Sequence, residues 1–419
     1  MRLSALRGLS RIRPRIMAHL SEAEARRYLT FISVLFLIWG VVATIFGAIS
    51  PNLLREFALD DARLSYAPAC LAGGGALGAL WGGALGGALR LRRVILGFLT
   101  AGLGAVALMV LAPVWPVYLL GVFLTTLLFS VSITLCNGLL TKIAAPERRT
   151  AVFGRAQAVY TFGAAIGPLV AAGLLWRDPE AWRLIYVLCG LAMAGLLVWA
   201  WTRLASLSQA GVRLESKGGF SAYGDVLRDP GLRWMLLASA LGGGILELTH
   251  AAFSTLHAVK ALDLSDTAGR VVYTAFTVGM FLSRLGVSTT GGRFRPEALL
   301  TAAAVLASAS ALLLMAAQGQ TVALLANFGL GLAAGASFPL TMLMASARRP
   351  DLVDATTGAM ILAGSAGYQA ASLTLGALGE AYGLKSAYWL VAVGAGLWLL
   401  VCLRLRRMSA APLREGKTA

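Results

Sequence analysis

Residues 232–256 read LRWMLLASALGGGILELTHAAFSTL. After Arg233 the stretch is apolar, small or hydroxylic throughout, except for one carboxylate, Glu247, and one imidazole, His250. A helix rises about 1.5 Å per residue, so a run of this length covers roughly the 30 Å hydrocarbon core of a bilayer. Similar runs recur along all 419 residues, of which 58% are hydrophobic and 13% charged. Soluble domains carry roughly 25% charged residues, and the mean hydropathy here is +0.76. Open sheets cannot span hydrocarbon because their edges would go unsatisfied. The alternating segments of about ten residues that build an outer-membrane barrel are absent. The sequence therefore predicts an all-α integral membrane protein.

Windows of about 19 residues place twelve spans near 30–50, 64–88, 93–112, 115–140, 152–175, 182–202, 232–256, 268–290, 298–317, 320–345, 355–378 and 385–403. The domain organisation follows: a basic N-terminal tail over 1–27, a six-helix bundle over 28–202, a central loop over 203–231, a second bundle over 232–404 and a tail over 405–419. With both termini in the cytoplasm, most of the 36 lysines and arginines fall on cytoplasmic segments, while the 19 acids divide nearly evenly. A bias of basic residues without a matching bias of acids is the positive-inside pattern. The net charge of +17 thus reports orientation, and nucleic-acid binding is not needed to explain it. Arginine far outnumbers lysine and alanine and glycine abound, which points to a GC-rich bacterial genome and so to the inner membrane.

The first residues lack the apolar core of a cleavable signal. They read as a cytoplasmic basic tail, or as an upstream start with Met17 as the true one. Cys70, Cys136, Cys189 and Cys402 are widely spaced in apolar runs and form no metal pattern. No phosphate-binding loop, paired acids, metal cluster or serine elbow is present, so the reading is of no enzyme, no metal and no cofactor. The expected partners are the lipid bilayer and a small-molecule solute, with the protein a monomer.

The two halves resemble each other. PERRTAVFG (146–154) aligns with PDLVDATTG (350–358), Gly163 with Gly367, ALD at 58–60 with ALD at 261–263, and GGALRLRR (86–93) with GGRFRPEA (291–298). Matches at a nearly constant offset, each at the same place in its half, indicate duplication into two pseudo-symmetric six-helix bundles. Twelve spans as six plus six, a long central loop and basic loops after spans 2 and 8 resemble the major facilitator superfamily of secondary transporters, over about residues 28–405.

In GGALGGALRLRRV (82–94), Gly83, Arg92 and Arg93 match the family's Gly-x-x-x-Asp-Arg-x-Gly-Arg-Arg loop motif, as Arg293 does in the second copy. Gly87 and Gly292 stand where the family has its acid, so the charged latch that the motif forms in the family is weaker or built differently here. Span 5 carries Gly154, Gly163, Gly167 and Pro168, close to a signature of drug/proton antiporters. Small residues let helices approach closely and proline can kink them, so a tight helix seam is the plainer reading. Span 4 lacks the arginine usual in drug exporters of the family. GMFLSRLG (279–286) after span 7 is similar to fucose-permease and related sugar carriers, which couple protons through acids in spans 1 and 4 that this chain lacks.

The resemblance implies a central cavity lined mainly by spans 1, 4, 7 and 10, reached alternately from either side as the halves rock. Glu247 lies near the midplane of span 7, where an acid costs ~2.5–3.5 kcal/mol on insertion scales. At helical spacing His250, Ser254 and His257 share its face. Glu247 and His250 are therefore the expected proton-coupling or substrate-binding pair, with His257 the weaker member at the outer edge. Arg284 is expected to snorkel near the cytoplasmic end of span 8, in interdomain packing. The neutral cavity candidates are Trp39, Thr44, Asn137, Gln157, Tyr160, Asn327, Tyr368 and Gln369, groups that suit sugars or amphipathic solutes. Two classes follow: a secondary transporter coupled to protons through Glu247, with uniport and drug export as variants, or a transporter-like scaffold or sensor that moves nothing.

Overall fold

The computed structural model describes residues 22–85, 91–143, 149–204, 220–290 and 294–410, and every long element among them is helical. The first half comprises α1 (Glu22–Glu56), α2 (Tyr66–Leu85), α3 (Leu91–Val110), α4 (Trp115–Ile143), α5 (Arg149–Arg177) and α6 (Trp182–Arg203). The second comprises α7 (Pro230–Ala261), α8 (Asp266–Thr290), α9 (Pro296–Met315), α10 (Gln320–Arg348), α11 (Val353–Tyr382) and α12 (Trp389–Ala410). Among the described residues, nine of the twelve are long and apolar enough to cross a membrane on composition alone. The other three, α2, α8 and α11, are rich in glycine, alanine or hydroxyls and pack between the halves.

The helices overrun their apolar windows because polar turns outside the hydrocarbon still hydrogen-bond internally. α1 begins at Glu22, inside the tail expected over 1–27, with Arg26 paired to Glu22 at 3.3 Å. α12 continues to Ala410, inside the tail expected over 405–419. The central segment is not wholly loop, since Phe220–Arg228 is a helix that buries Val226. α7 then starts on a defined signal: Asp229 caps the N–H groups of Gly231 and Leu232 at 2.7 and 3.0 Å, with Pro230 in the first turn. Arg348 at the end of α10 also donates to Asp229 at 2.7 Å. Burial alone would raise the Asp229 carboxyl, but the Arg348 guanidinium and the two amides hold it below its ordinary value.

Duplication is visible in the packing. In the first half α2 packs on α4, α1 on α5, α3 on α4 and α3 on α6. In the second, α8 packs on α10, α7 on α11, α9 on α10 and α9 on α12, the same pairs displaced by six helices. Between halves α5 meets α8, α2 meets α11 and α1 meets α7, as a pseudo-twofold axis requires. The tight seam expected of span 5 is formed against α1: a Cβ on Gly163 would overlap the Leu37 carbonyl, one on Gly40 the Tyr160 carbonyl, and one on Gly167 the Thr44 hydroxyl. Pro168 lies within the same helix, as does Gly154.

α7 departs from the regular geometry that the sequence implies. Over Ala240–Thr249 it widens into a π-helix. The cause is tertiary: the glycine run lets Gly242 press on Trp398 of α12, and Gly244 on the backbone of α11 at Gly364 and Tyr368. The Thr249 hydroxyl donates back to the Gly244 carbonyl at 2.8 Å, partnering a group in the widened turns. π-Helical insertions of this kind often mark functional sites.

The seam supports a direct test. Gly163→Leu should destabilise the purified protein by about 1–3 kcal/mol or more through overpacking, read as a lowered thermal midpoint. Gly97→Leu should not lower it, because the position is exposed and no atom outside its own helix backbone lies within 4 Å of a Cβ placed there.

Candidate functional site

A cavity of about 230 Å³ lies between the halves. Most of its wall belongs to the first half: Trp39 and Phe46 of α1, Leu71 of α2, Tyr118 and Ser130 of α4, and Tyr160 of α5. The second half contributes Leu248 and Ala251 of α7, Tyr273 of α8, and Ser365 and Tyr368 of α11. No lining residue carries a formal charge. Trp39 is held in place by stacking on Phe129, with ring centroids 4.9 Å apart. Tyr118 and Tyr186 bond each other at 3.1 Å.

Glu247 does not open onto this cavity. It accepts from Arg284 Nη2 of α8 in an ion pair, the two side chains only 14% and 13% exposed. Arg284 Nη1 reaches across to the other half and donates to the Thr161 hydroxyl of α5 at 3.1 Å. The ion pair is nonetheless adjacent to the cavity at both ends, because Tyr160 precedes Thr161 and Leu248 follows Glu247, and both line it. Arg284 therefore turns inward rather than snorkelling, bonded to Glu247 of its own half and to Thr161 of the other. Its Nε is buried without a partner.

His250 belongs to a separate network. Its Nε2 lies 2.8 Å from Asn327 Oδ1 of α10 and its Nδ1 2.7 Å from the Tyr388 hydroxyl. Asn327 Oδ1 also accepts from Ser254 at 2.8 Å, while Asn327 Nδ2 donates to the Ala323 carbonyl at 2.8 Å. The amide orientation assigns the imidazole tautomer: Nε2–H donates to Asn327, and Nδ1 accepts from Tyr388. His257 stacks on Tyr388 at 3.9 Å. No hydrogen bond links Glu247 to His250, so the expected pair is two separate sites. The π-helix moves Glu247 off the face that regular spacing assigns to it.

At the end of the bundle opposite the start of α1 and the end of α12, polar contacts close the halves together. Arg55 pairs with Asp266 at 2.7 Å and Lys260 with Asp61 at 2.5 Å. Arg270, only 1% exposed, donates to the Ala48 carbonyl at 3.0 Å and to Asn52 Oδ1 at 2.8 Å. Asn52 Nδ2 in turn donates to the Pro179 carbonyl at 2.5 Å. Nearby, Glu56 joins Arg183 and the Trp182 indole.

The sequence matches the Major Facilitator Superfamily over residues 31–265. The chain belongs to that superfamily. No curated protein matches it. Among solved structures, a bacterial homologue of the human lysosomal transporter Spinster, inward-facing and unoccupied, superposes with a TM-score of 0.71 at 15% identity, covering 94% of this chain and 100% of its own. The nucleoside transporter NupG gives 0.73 at 14% identity over 92% and 99%. The E. coli fucose:proton symporter FucP gives 0.65 at 17% over 90% and 98%. At these identities the likeness is one of fold.

Within the superfamily frame, the expected set of cavity-lining helices needs revision. α2 and α11 contribute to the wall and α10 does not. Of the neutral candidates, Trp39, Tyr160 and Tyr368 line the cavity. Thr44 bonds back to the Gly40 and Val41 carbonyls, Asn327 serves His250, and Gln157 lends its carbonyl to Thr161. Asn137 has a buried Oδ1 without a partner, and Gln369 faces outward, exposed beside the inward Tyr368. In the superfamily loop motif, Arg92 donates to the Trp201 carbonyl at 2.6 Å and lies over that indole, tying α3 to α6 within one half. Arg93 is exposed and Gly83 lies in α2. Gly87, Gly292 and Arg293 lie outside the described residues.

Sequence reasoning missed Arg270, Asn52 and Thr161. Arg270 stands one turn into α8 and reads as an edge residue there. The one local signal is Asp266, four residues earlier and 3.7 Å away.

The ion pair predicts a specific pattern of rescue. Arg284→Met should destabilise the protein by about 3–5 kcal/mol, because Glu247 is left as an uncompensated buried charge. Adding Glu247→Gln should restore most of the loss in thermal midpoint.

Proposed function

We propose that this chain is a secondary transporter that carries a small solute through the cavity between its halves by alternating access, coupled to protons at Glu247. The observation that carries the reading is the Glu247–Arg284–Thr161 connection. It joins a titratable carboxylate to an arginine that grips the opposite half, one residue from the cavity wall on both sides. A proton bound to Glu247 removes the charge that holds Arg284, loosening the grip on Thr161 and so the contact of α5 with α8. Solute binding against Tyr160 and Leu248 acts on the same contact from the cavity side. Each ligand thereby biases one two-state element, which is what coupling requires. The cation–carboxylate contacts among Arg55, Asp266, Lys260 and Asp61 close one end in this state. From the distribution of basic residues, the termini lie in the cytoplasm and the closed end faces outward across the bacterial inner membrane.

A second reading, uniport without a coupling ion, is favoured by one observation. Arg284 gives Glu247 an electrostatic partner, so the carboxylate has a structural reason to be there. The two readings separate in proteoliposomes, using a solute found by thermal-shift screening. Under proton coupling, Glu247→Gln abolishes accumulation driven by a pH gradient while solute exchange at equal pH persists. Accumulation that is unchanged in Glu247→Gln overturns the coupling assignment.

A further inference from the structure

The wall of the cavity constrains what it can hold. At about 230 Å³ it lies below the roughly 300–1,000 Å³ typical of pockets for drug-sized ligands. Its lining bears no charged side chain and no amide. Glu247, next in sequence to the lining Leu248, is spent on Arg284. Much of the hydroxyl capacity is spent as well: Ser130 donates to the Gly75 carbonyl at 2.7 Å, Thr126 to Val122 and Phe123, and Thr125 to the Met109 sulfur. The hydroxyls of Ser365, Tyr160, Tyr273 and Tyr368 have no such bond and remain for a ligand. Among these few polar groups stands the indole of Trp39, fixed against Phe129 as a rigid platform.

A charged solute entering this site would lose its hydration with no counter-charge to replace it. A monosaccharide would strand several hydroxyls against apolar wall. A flat ring meets the opposite situation, since aromatic faces stack on a preset indole at little entropic cost. We propose that the solute is an uncharged, compact ring compound, aromatic or heterocyclic, with only a few hydrogen-bonding groups, stacked on Trp39 and bonded by Tyr368 and Ser365. This inference rests on the transporter reading and narrows it. Of the sugars and amphipathic solutes that the neutral cavity candidates suit, it sets the sugars aside.

The test uses the full chain in detergent micelles, with thermal shift and calorimetric titration. The probes are benzamide and indole as neutral rings, benzoate as the charged counterpart of benzamide, glucose as a polyol and phenylalanine as a zwitterion. The neutral rings should bind saturably. Trp39→Ala should weaken them at least tenfold, which also separates site binding from partition into the micelle. Tyr368→Phe, a milder change, should weaken benzamide severalfold and provides the reading if Trp39→Ala does not fold. Benzoate or glucose binding as well as benzamide in a Trp39-dependent way overturns the class, as does failure of both neutral rings to bind. The transporter reading stands or falls separately. A cysteine placed at Ala43 on the cavity wall, in a background without the four native cysteines, should be labelled by impermeant maleimide from both membrane faces. Labelling from one face under every condition rejects transport whatever the probes show.

Discussion

Hydrocarbon offers a buried charge no water, so each charge placed there must find its partner inside the protein. The organisation of this chain follows from where those partners lie. Glu247 of α7 finds Arg284 of α8, and Arg284 finds Thr161 across the interface. Arg270 finds a carbonyl and an amide oxygen of α1. In both cases the arginine belongs to the second half and its outermost contact to the first. Interhelical electrostatics thus holds together surfaces that small residues have already brought close, as at Gly47, where a Cβ would overlap the Ala251 carbonyl of α7.

The division of labour along α7 is equally physical. Glu247, in the π-helical segment, is directed to the interface and stays partly accessible. His250, Ser254 and His257 are fully enclosed within the second half, with the His250 ring satisfied at both nitrogens. A group whose hydrogen bonds are all met by its own domain braces that domain and has no hold on its neighbour. The network built on Asn327 therefore keeps α7, α10 and the turn before α12 together as one body, while Ala251 and, through Arg284, Glu247 meet the first half.

The twelve spans and their duplication were legible because they rest on the bilayer's thickness and on repeated residues, both of which are local. Legibility ended where phase along a helix mattered. Glu247 and His250 share a face only in a helix of regular pitch, and the widening over Ala240–Thr249 depends on how glycines meet α11 and α12. Tyr368 and Gln369 looked equivalent because α11 has small residues on every side; one faces the cavity and the other faces out. Arg270 was passed over because its partners, Ala48 and Asn52, lie more than two hundred residues away in the chain. Trp39, Tyr160 and Tyr368 were recognisable as large polar-edged rings in otherwise apolar spans, which is a local property.

Asn52 holds its position with one end of its amide and greets the other half with the other. When that end of the molecule parts, its hold on Pro179 is untouched, and Arg270 passes from an amide oxygen to arriving water. A hydrogen bond to a charged group contributes about 1.5–3 kcal/mol, and exposed ion pairs such as Arg55–Asp266 about 0–1 kcal/mol. Each of these contacts is therefore light beside the whole interface, within the few kcal/mol over which exchanging conformations differ. The amide acts as a fixed seat to which the guanidinium can return, so this contact can be made and broken without disturbing the half that carries Asn52.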